Sequence, residues 1–506
     1  MSICIKQSAL KILLALSALL ITWLTTRYFP VEPDVANSPI VWRHILENGI
    51  SSIHDWKPTV DNWYFTVYPI NFLFYMLLGD DGLVALRLST AVFSIAIVIA
   101  AMLTLRKAFG FTPALFSIIL LSLIPYFSYT YGFVSHPFSH NSTNAFGFLC
   151  LLISVFNIQY KNIFITLLLS LTALFSSVSD PWFTAAFFIP LLISYFLFSV
   201  WDKKLFKHTA LILFACLISL SNVLQNLLNI PPHQFEIVSL NDMILNAKWC
   251  ILLIGKSLNL LVVDNNATSY ASFVIWFIAI ITSAWFVLSD NKKNTYRIYI
   301  VLFSLLSIAG IVSSFILSYK SPDYISMRFF MNVTCFALIL CCIGTSTKAK
   351  ILFYLIAFLF SISSIKSYTN NASPLHDQEK IVKSYIDFLK KNNLHYGYGS
   401  FWDLSMTVNW LSGGDIQITP VFFNADSGKI NFTGVRQQTL ASWHSKEAFN
   451  SAPGRQFIAV SIANEPERCK EMTSCLAGIQ EQLGKPDEVL NFEGRVILVF
   501  NKKLNL

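Results

Sequence analysis

Three carboxylates, Glu32, Asp34 and Asp61, lie in a stretch that opens with "PVEPDVANSPIVWRHILENG", directly after an apolar run. A carboxylate just beyond an apolar segment is poised to meet a molecule with a lipid tail and a polar head. It can also take a proton from a group within hydrogen-bond reach. His136 and His140 in "SHPFSHNST" stand four apart, a spacing that would bring two imidazoles to a metal only on a helix, and Pro137 opposes one there. Cys469 and Cys475 frame "CKEMTSC" with no His or further Cys at ligand spacing, so a disulfide is expected in preference to a zinc site.

The elements that must hold these groups follow from composition. The chain has 506 residues, 55% hydrophobic and only 13% charged, too apolar for a soluble domain of this size. Apolar runs of about 17 to 25 residues recur, each long enough to cross a hydrocarbon core of roughly 30 Å as a helix. Eleven are expected: 8–26, 83–105, 112–132, 142–159, 163–179, 183–200, 209–229, 269–288, 298–317, 329–345 and 351–366. Lys6, Lys11, Arg106, Lys107, Lys161, Lys203, Lys204, Lys207, Lys292, Lys293, Arg297, Lys348 and Lys350 fall in alternate breaks, which makes those breaks and the N-terminus cytoplasmic. An odd number of spans then puts the C-terminus outside. "TWLTTR" lacks the small residues of a cleavage site, so the first run reads as an anchor. The net charge of +8 is largely this inner-loop bias and calls for no nucleic acid.

The spans hold almost no ionisable residue at mid-depth, which weighs against an ion-coupled transporter. Arg87 and Arg328 come nearest, each about a turn inside the outer boundary, where snorkelling to headgroups is the competing reading. The other seven cysteines lie in or beside apolar segments and read as small hydrophobes. Polar chemistry concentrates outside, beginning with the 27–82 loop. There, "VWRHILENG" has helical spacing, and residues 64–79, broken by Pro69, suit a helix along the membrane surface. The tail from 367 reads as an α/β domain, with an amphipathic helix over 376–391 and strands beginning near 416, 456 and 495. The expected fold class is therefore a polytopic α-helical membrane protein with a C-terminal periplasmic α/β domain, divided as 1–366 and 367–506.

The early acidic residue, the helix ending "ILENG" and "YPINFLFYMLLGDDGLVALRLSTAVFS" leading into the second span resemble the start of a GT-C type glycosyltransferase, an enzyme that takes a sugar from a polyprenyl phosphate. "SDPWFTAAFFIP", "SPDYISMRFFMN" and "YGYGSFWDLSMTVNWLSGGDIQITPVFF" extend the likeness over most of the chain, as loose patterns rather than strict signatures. Length, topology and tail look most like the serotype-converting O-antigen glucosyltransferases of temperate phages of enteric bacteria. The resemblance implies an inverting glucosyl transfer from undecaprenyl-phosphate-glucose to O-antigen repeat units, on the periplasmic face of the bacterial inner membrane. A lipid-linked sugar flippase and a GT-C transferase acting on protein or lipid A are the alternatives.

The resemblance also implies roles. Asp34 matches the position of the base that deprotonates the acceptor hydroxyl, set against a reading in which it caps the helix near Asn37. Glu32 is the second candidate base, and Asp61 has a supporting or acceptor-positioning role. Arg328 matches the cation that meets the lipid phosphate, with Lys320 close behind it. His136 and His140 hydrogen-bond sugar or phosphate or are plain loop residues. Asp180, before Pro181, caps a helix or shapes the site. Some GT-C relatives bind a divalent cation with acidic residues in the loop of the two histidines, but this chain has none there, so neither a metal nor another cofactor is expected. Trp402, Asp403, Trp410 and Trp443 either contact an oligosaccharide acceptor or build the tail's core.

Overall fold

A computed structural model describes residues 3–133, 140–232, 235–290, 294–369, 375–424, 427–463 and 467–504. Among these, eight helices are long and apolar enough to cross a membrane: Ile5–Tyr28, Leu83–Phe109, Asn141–Tyr160, Thr184–Trp201, Asn266–Leu288, Thr295–Ser318, Ile325–Gly344 and Lys350–Thr369. A ninth span results if Phe111–Ser122 and Tyr126–Phe133, bent by 75°, are taken together.

The count falls short of the eleven expected runs for local reasons. The 112–132 run breaks at Pro125, which lacks an N–H and disfavours helical backbone at Ile124. The 209–229 run stops at Leu220, before Asn222 adopts a left-handed conformation, φ 55°, that Asn tolerates better than most residues. Ile163–Ser179 is helical over its full 17 residues, the short end of the length that can cross, and is the expected 163–179 run.

The helix Met331–Gly344 is apolar on all sides and every one of its residues is buried, as befits the centre of a bundle. Thr295–Ser318 runs beside it and approaches the wide helical turn Thr184–Phe188 closely. A Cβ on Gly310 would lie 2.2 Å from the Ala185 carbonyl oxygen, so only glycine fits there.

The basic breaks gather at one end of this bundle. Arg297 Nε donates to the Ala108 carbonyl (3.1 Å), Lys107 lies over the rings of Phe156 and Tyr296, and Lys161 pairs with Asp202.

At the other end sit the first loop and the tail. The first helix, α1 (Ile3–Tyr28), leads through a tight turn, Pro33–Ala36, into α2 (Asn37–Asn48). A second loop helix, α3 (Val67–Leu78), then precedes α4 (Leu83–Phe109). In the tail, the helix Leu375–Lys391 buries Val382, Tyr385, Ile386 and Leu389 on the side its sequence marks as apolar.

The strands are β1 (Tyr396–Gly399), β2 (Gln417–Pro420), β3 (Phe422–Phe423), β4 (Ile430–Asn431), β5 (Gln456–Val460), β6 (Glu488–Phe492) and β7 (Arg495–Phe500). Five of them form a sheet in the order β2-β1-β5-β7-β6, parallel across β2-β1-β5 and antiparallel beyond, while β3 and β4 make a short ribbon. Cys469 and Cys475 are joined by a disulfide beside this sheet.

Loop and tail share one hydrophobic core. Val35, Ile40, Val41 and Trp56 pack with Val382, Tyr385, Phe401, Met406 and Trp410. Arg43 fastens the joint: its Nε and Nη2 donate to both oxygens of Asp81 (2.5 and 2.7 Å), and its Nη1 donates to the Trp410 carbonyl (2.8 Å). Trp410 Nε1 returns a hydrogen bond to the Asp81 carbonyl (2.9 Å). A planar guanidinium suits this task because its five donors reach a carboxylate and a carbonyl at once.

Candidate active site

Asp34 occupies the turn Pro33–Ala36 between α1 and α2, half-buried. Its side chain does not cap α2, whose N-cap residue is Ala36. Instead Asp34 Oδ1 accepts a hydrogen bond of 3.0 Å from Gln438 Nε2, a residue of the tail. Asp34 and Glu32 line a cavity of about 580 Å³ with Tyr319, Asp323, Arg328, Gln378 and Trp402.

Arg328 stands in the turn Ile325–Phe330 that leads into the buried central helix. Asp323 shapes that turn by accepting from Ser326 N and Oγ, both at 3.0 Å. Arg328 lies against the Phe329 ring, 5.0 Å from its centroid. Its Nε is buried without a hydrogen-bond partner, and among the described residues it makes no ion pair. A buried guanidinium nitrogen left without an acceptor is costly, and an anionic ligand would supply what is missing.

Arg328 and Tyr319 also line a second cavity, of about 450 Å³, together with Asp61, His140, Trp182 and Lys320. Ala185, Ser314 and Ser318 form its helical wall, so it reaches between Thr184–Trp201 and Thr295–Ser318. Asp61, in the loop, feels burial and the nearby Asp180 carboxylate; together these raise its carboxyl above the ordinary range, and His140 and Arg328 only partly offset them.

His140 is buried and oriented. Its Nδ1 donates to Asp180 Oδ2 at 2.5 Å, and Asp180 also accepts from Thr143 Oγ1 and from Trp182 N (3.0 Å). Asp180 is therefore fully enclosed by donors, and it sets which ring nitrogen of His140 points onward. Trp63, Trp182 and Phe329 surround the imidazole with ring centroids 5.8, 6.1 and 4.9 Å away.

The structure thus brings together Glu32, Asp34 and Arg328 in one cavity and Asp61, His140, Lys320 and Arg328 in the other. Asp180 stands behind His140 rather than in the open space. Asp61, expected near the acceptor, faces the cavity that Asp34 does not line. Lys320 is at the rim, 69% exposed and paired with Glu236 at 2.7 Å, so it is already engaged. His136 lies outside the described residues. Arg87, for which snorkelling was the competing reading, pairs with Glu379 of the tail at 2.9 Å. Among the described residues no group of three or more His, Cys, Asp or Glu could hold a metal ion.

Tyr319, Gln378 and Gln438 are not legible as site residues, whereas Trp402, one of the tail residues offered as an acceptor contact or as core, does line the Asp34 cavity. Trp402 stood out as an aromatic in the tail, but no spacing relates it to Asp34. Of the other tail candidates, Trp410 is buried in the joint and Asp403 is buried and paired with Arg495 at 2.8 Å.

No family model matches this chain, and no curated protein does. Solved structures do. ArnT from Cupriavidus metallidurans is similar in its apo state with a TM-score of 0.58 at 11% identity, over 97% of this chain and 98% of that chain. The chain has the GT-C fold. ArnT bound to undecaprenyl phosphate is matched as well, with a TM-score of 0.58, 11% identity and coverage of 96% and 97%. The archaeal oligosaccharyltransferase AglB from Archaeoglobus fulgidus, in complex with an inhibitory peptide and a dolichol-phosphate, gives a TM-score of 0.47 at 11% identity over 90% of this chain and 69% of that chain. A GT-C bundle with a small C-terminal sheet domain is the expected fold class, now with eight or nine long apolar helices among the described residues.

Proposed function

We propose that this chain is a glycosyltransferase that moves a sugar from a polyprenyl phosphate to a saccharide acceptor at the membrane's outer face. Arg328 carries the reading, because it borders both cavities and has an unsatisfied buried nitrogen. The cavity that reaches between helices holds the donor, its phosphate at Arg328 and its sugar near Asp61 and His140. The cavity of Asp34, Glu32 and Trp402 opens against the tail and receives the acceptor. ArnT, which shares the fold, has been solved with undecaprenyl phosphate, and this supports a polyprenyl carrier.

In the reaction the acceptor hydroxyl oxygen attacks the anomeric carbon, and the bond from that carbon to the phosphate oxygen breaks. The hydroxyl proton passes to Asp34, and the bonding electrons leave with the polyprenyl monophosphate. Charge grows on that phosphate as the bond lengthens, and the Arg328 guanidinium stabilises it most at that moment. Attack from the side opposite the leaving group inverts the anomeric centre. Glu32, in the same cavity, is the second candidate base. Undecaprenyl-phosphate-glucose as donor and O-antigen repeat units as acceptor, in the inner membrane with the tail periplasmic, complete the proposal.

Membranes containing the protein, given labelled polyprenyl-phosphate glucose and O-antigen precursor, test it. Label in the polysaccharide supports transfer. Label that stays on lipid and crosses the bilayer identifies a flippase, and label on protein or lipid A redirects the acceptor assignment.

A further inference from the structure

Gln438 stands in the left-handed region, φ 64°, where a residue with a side chain is strained. The surroundings hold it there. Its backbone N–H donates to the Lys57 carbonyl (2.6 Å), and Lys57 N–H donates to the Thr439 carbonyl (2.9 Å), so the first loop and the tail clasp each other at this residue. Next to them, Trp56 and Leu440 form an antiparallel bridge.

The side chain is held as firmly. Its Nε2 donates to Asp34 Oδ1 (3.0 Å), and its Oε1 accepts from Arg436 Nη1 (3.2 Å). This orientation of the amide is dictated by its partners, since a carboxylate only accepts and a guanidinium only donates. Arg436 is anchored in turn: its Nε donates to Glu467 (2.6 Å), and its guanidinium lies 3.5 Å from the centroid of the Phe401 ring and 5.4 Å from that of Trp402. Glu467, Arg436, Gln438 and Asp34 form a continuous chain from the tail to the carboxylate. Its cationic link sits beneath Trp402, which lines the Asp34 cavity.

We infer that Gln438 is a positioning residue, through which the C-terminal domain fixes the orientation of the Asp34 carboxylate toward the acceptor hydroxyl. The inference rests on Asp34 acting as the base. A carboxylate on a two-bond side chain can rotate, and proton transfer requires one oxygen within hydrogen-bond reach of the hydroxyl. A donor on Oδ1 removes that freedom before the acceptor arrives. The same chain makes the tail part of the site, which a separate folded appendage would not be. The strained backbone is consistent with this, since such strain persists where surrounding contacts over-determine it.

Two substitutions test the assignment in the full chain, with polyprenyl-phosphate glucose and O-antigen precursor as substrates and Asp34→Asn as reference. Gln438→Gly removes the donor and suits the left-handed backbone, so its melting temperature is expected at or above that of the wild type. Its kcat is expected to fall about tenfold, the scale of one charge-assisted hydrogen bond, with KM for the donor lipid unchanged. Gln438→Glu keeps the shape but sets a second carboxylate against Asp34, and its kcat is expected to fall further. Wild-type kcat in Gln438→Gly beside an inactive Asp34→Asn overturns the positioning role and leaves the base in place. A loss in Gln438→Gly matched by an equal loss of folded protein, or absent from Gln438→Glu, also overturns it. Full transfer by Asp34→Asn removes the underlying reading itself.

Discussion

Asp34 and Arg328, far apart in the chain and on opposite sides of the bundle's sequence, line one cavity of about 580 Å³. Asp34 reaches it from the turn that follows the first helix, and Arg328 from the turn that opens the buried central helix. An acid and a cation held apart across open space, rather than joined in an ion pair, can work on two ends of one reacting group.

Arg328 is expected to bind the phosphate of the lipid carrier. Arg328→Ala is predicted to slow transfer on the order of 10²-fold, the usual cost of deleting one such donor. Arg328→Lys is predicted to recover part of it, because the charge returns without the planar fork. Polyprenyl phosphate titrated into the purified protein gives the check, with affinity falling in the order wild type, Lys, Ala.

Asp61 has its carboxyl raised by burial, then by Asp180. A raised acid favours the protonated native state, so its contribution to stability is complete below the ordinary carboxyl value of 3.8 and is lost as pH climbs through the raised value. Asp61→Asn carries no such penalty. Its melting temperature, relative to wild type, is therefore predicted to rise as the pH is taken from below the ordinary carboxyl value of 3.8 to neutrality. A difference that stays flat or reverses with pH contradicts the assignment.

Arg43 joins the loop to the tail through Asp81 and the Trp410 carbonyl. Arg43→Ala is predicted to cost about 2 kcal/mol, since it strands a largely buried carboxylate and a carbonyl. Thermal unfolding measures the loss. Because the two regions share one core, protease sensitivity is expected to increase in the 27–82 loop and in the tail together.

Much of this organisation can be read from the chain. Apolar runs mark the bundle, and the spacing of Val382, Tyr385, Ile386 and Leu389 marks the tail helix, because burial of one face imposes a period that survives in sequence. The strands at 417–420, 456–460 and 495–500 are legible from their β-branched and aromatic residues. Tyr396–Gly399 is not, since two glycines depress strand propensity. Gly397 instead belongs there because Phe457 packs where a side chain would go. Among the described residues eight or nine helices are long and apolar enough to span, against eleven apolar runs, because hydropathy does not register a bend at Pro125 or a stop before Asn222.

Site residues divide along the same line. Asp34 and Arg328 could be named as candidates because the GT-C resemblance implies a base and a cation at those positions, and Glu32 because it stands beside Asp34 just beyond the first apolar run. Gln438 could not, because its relation to Asp34 depends on the tail folding back over the first loop, a tertiary contact that leaves no periodic trace; for the same reason Trp402 could be offered as an acceptor contact but not placed beside Asp34. Asp61 was legible as a candidate but not in its location: the loop turns so that Asn62 Nδ2 donates to the Val178 carbonyl (2.7 Å), which carries Asp61 to the His140 side.

Transfer of labelled glucose from polyprenyl phosphate to O-antigen precursor, measured for wild type and for Asp34→Asn at matched amounts of folded protein, tests the central claim most directly. Removing the base is predicted to reduce the rate by about 10² to 10⁴-fold, with the carrier lipid still bound. Transfer by Asp34→Asn at the wild-type rate would contradict the account.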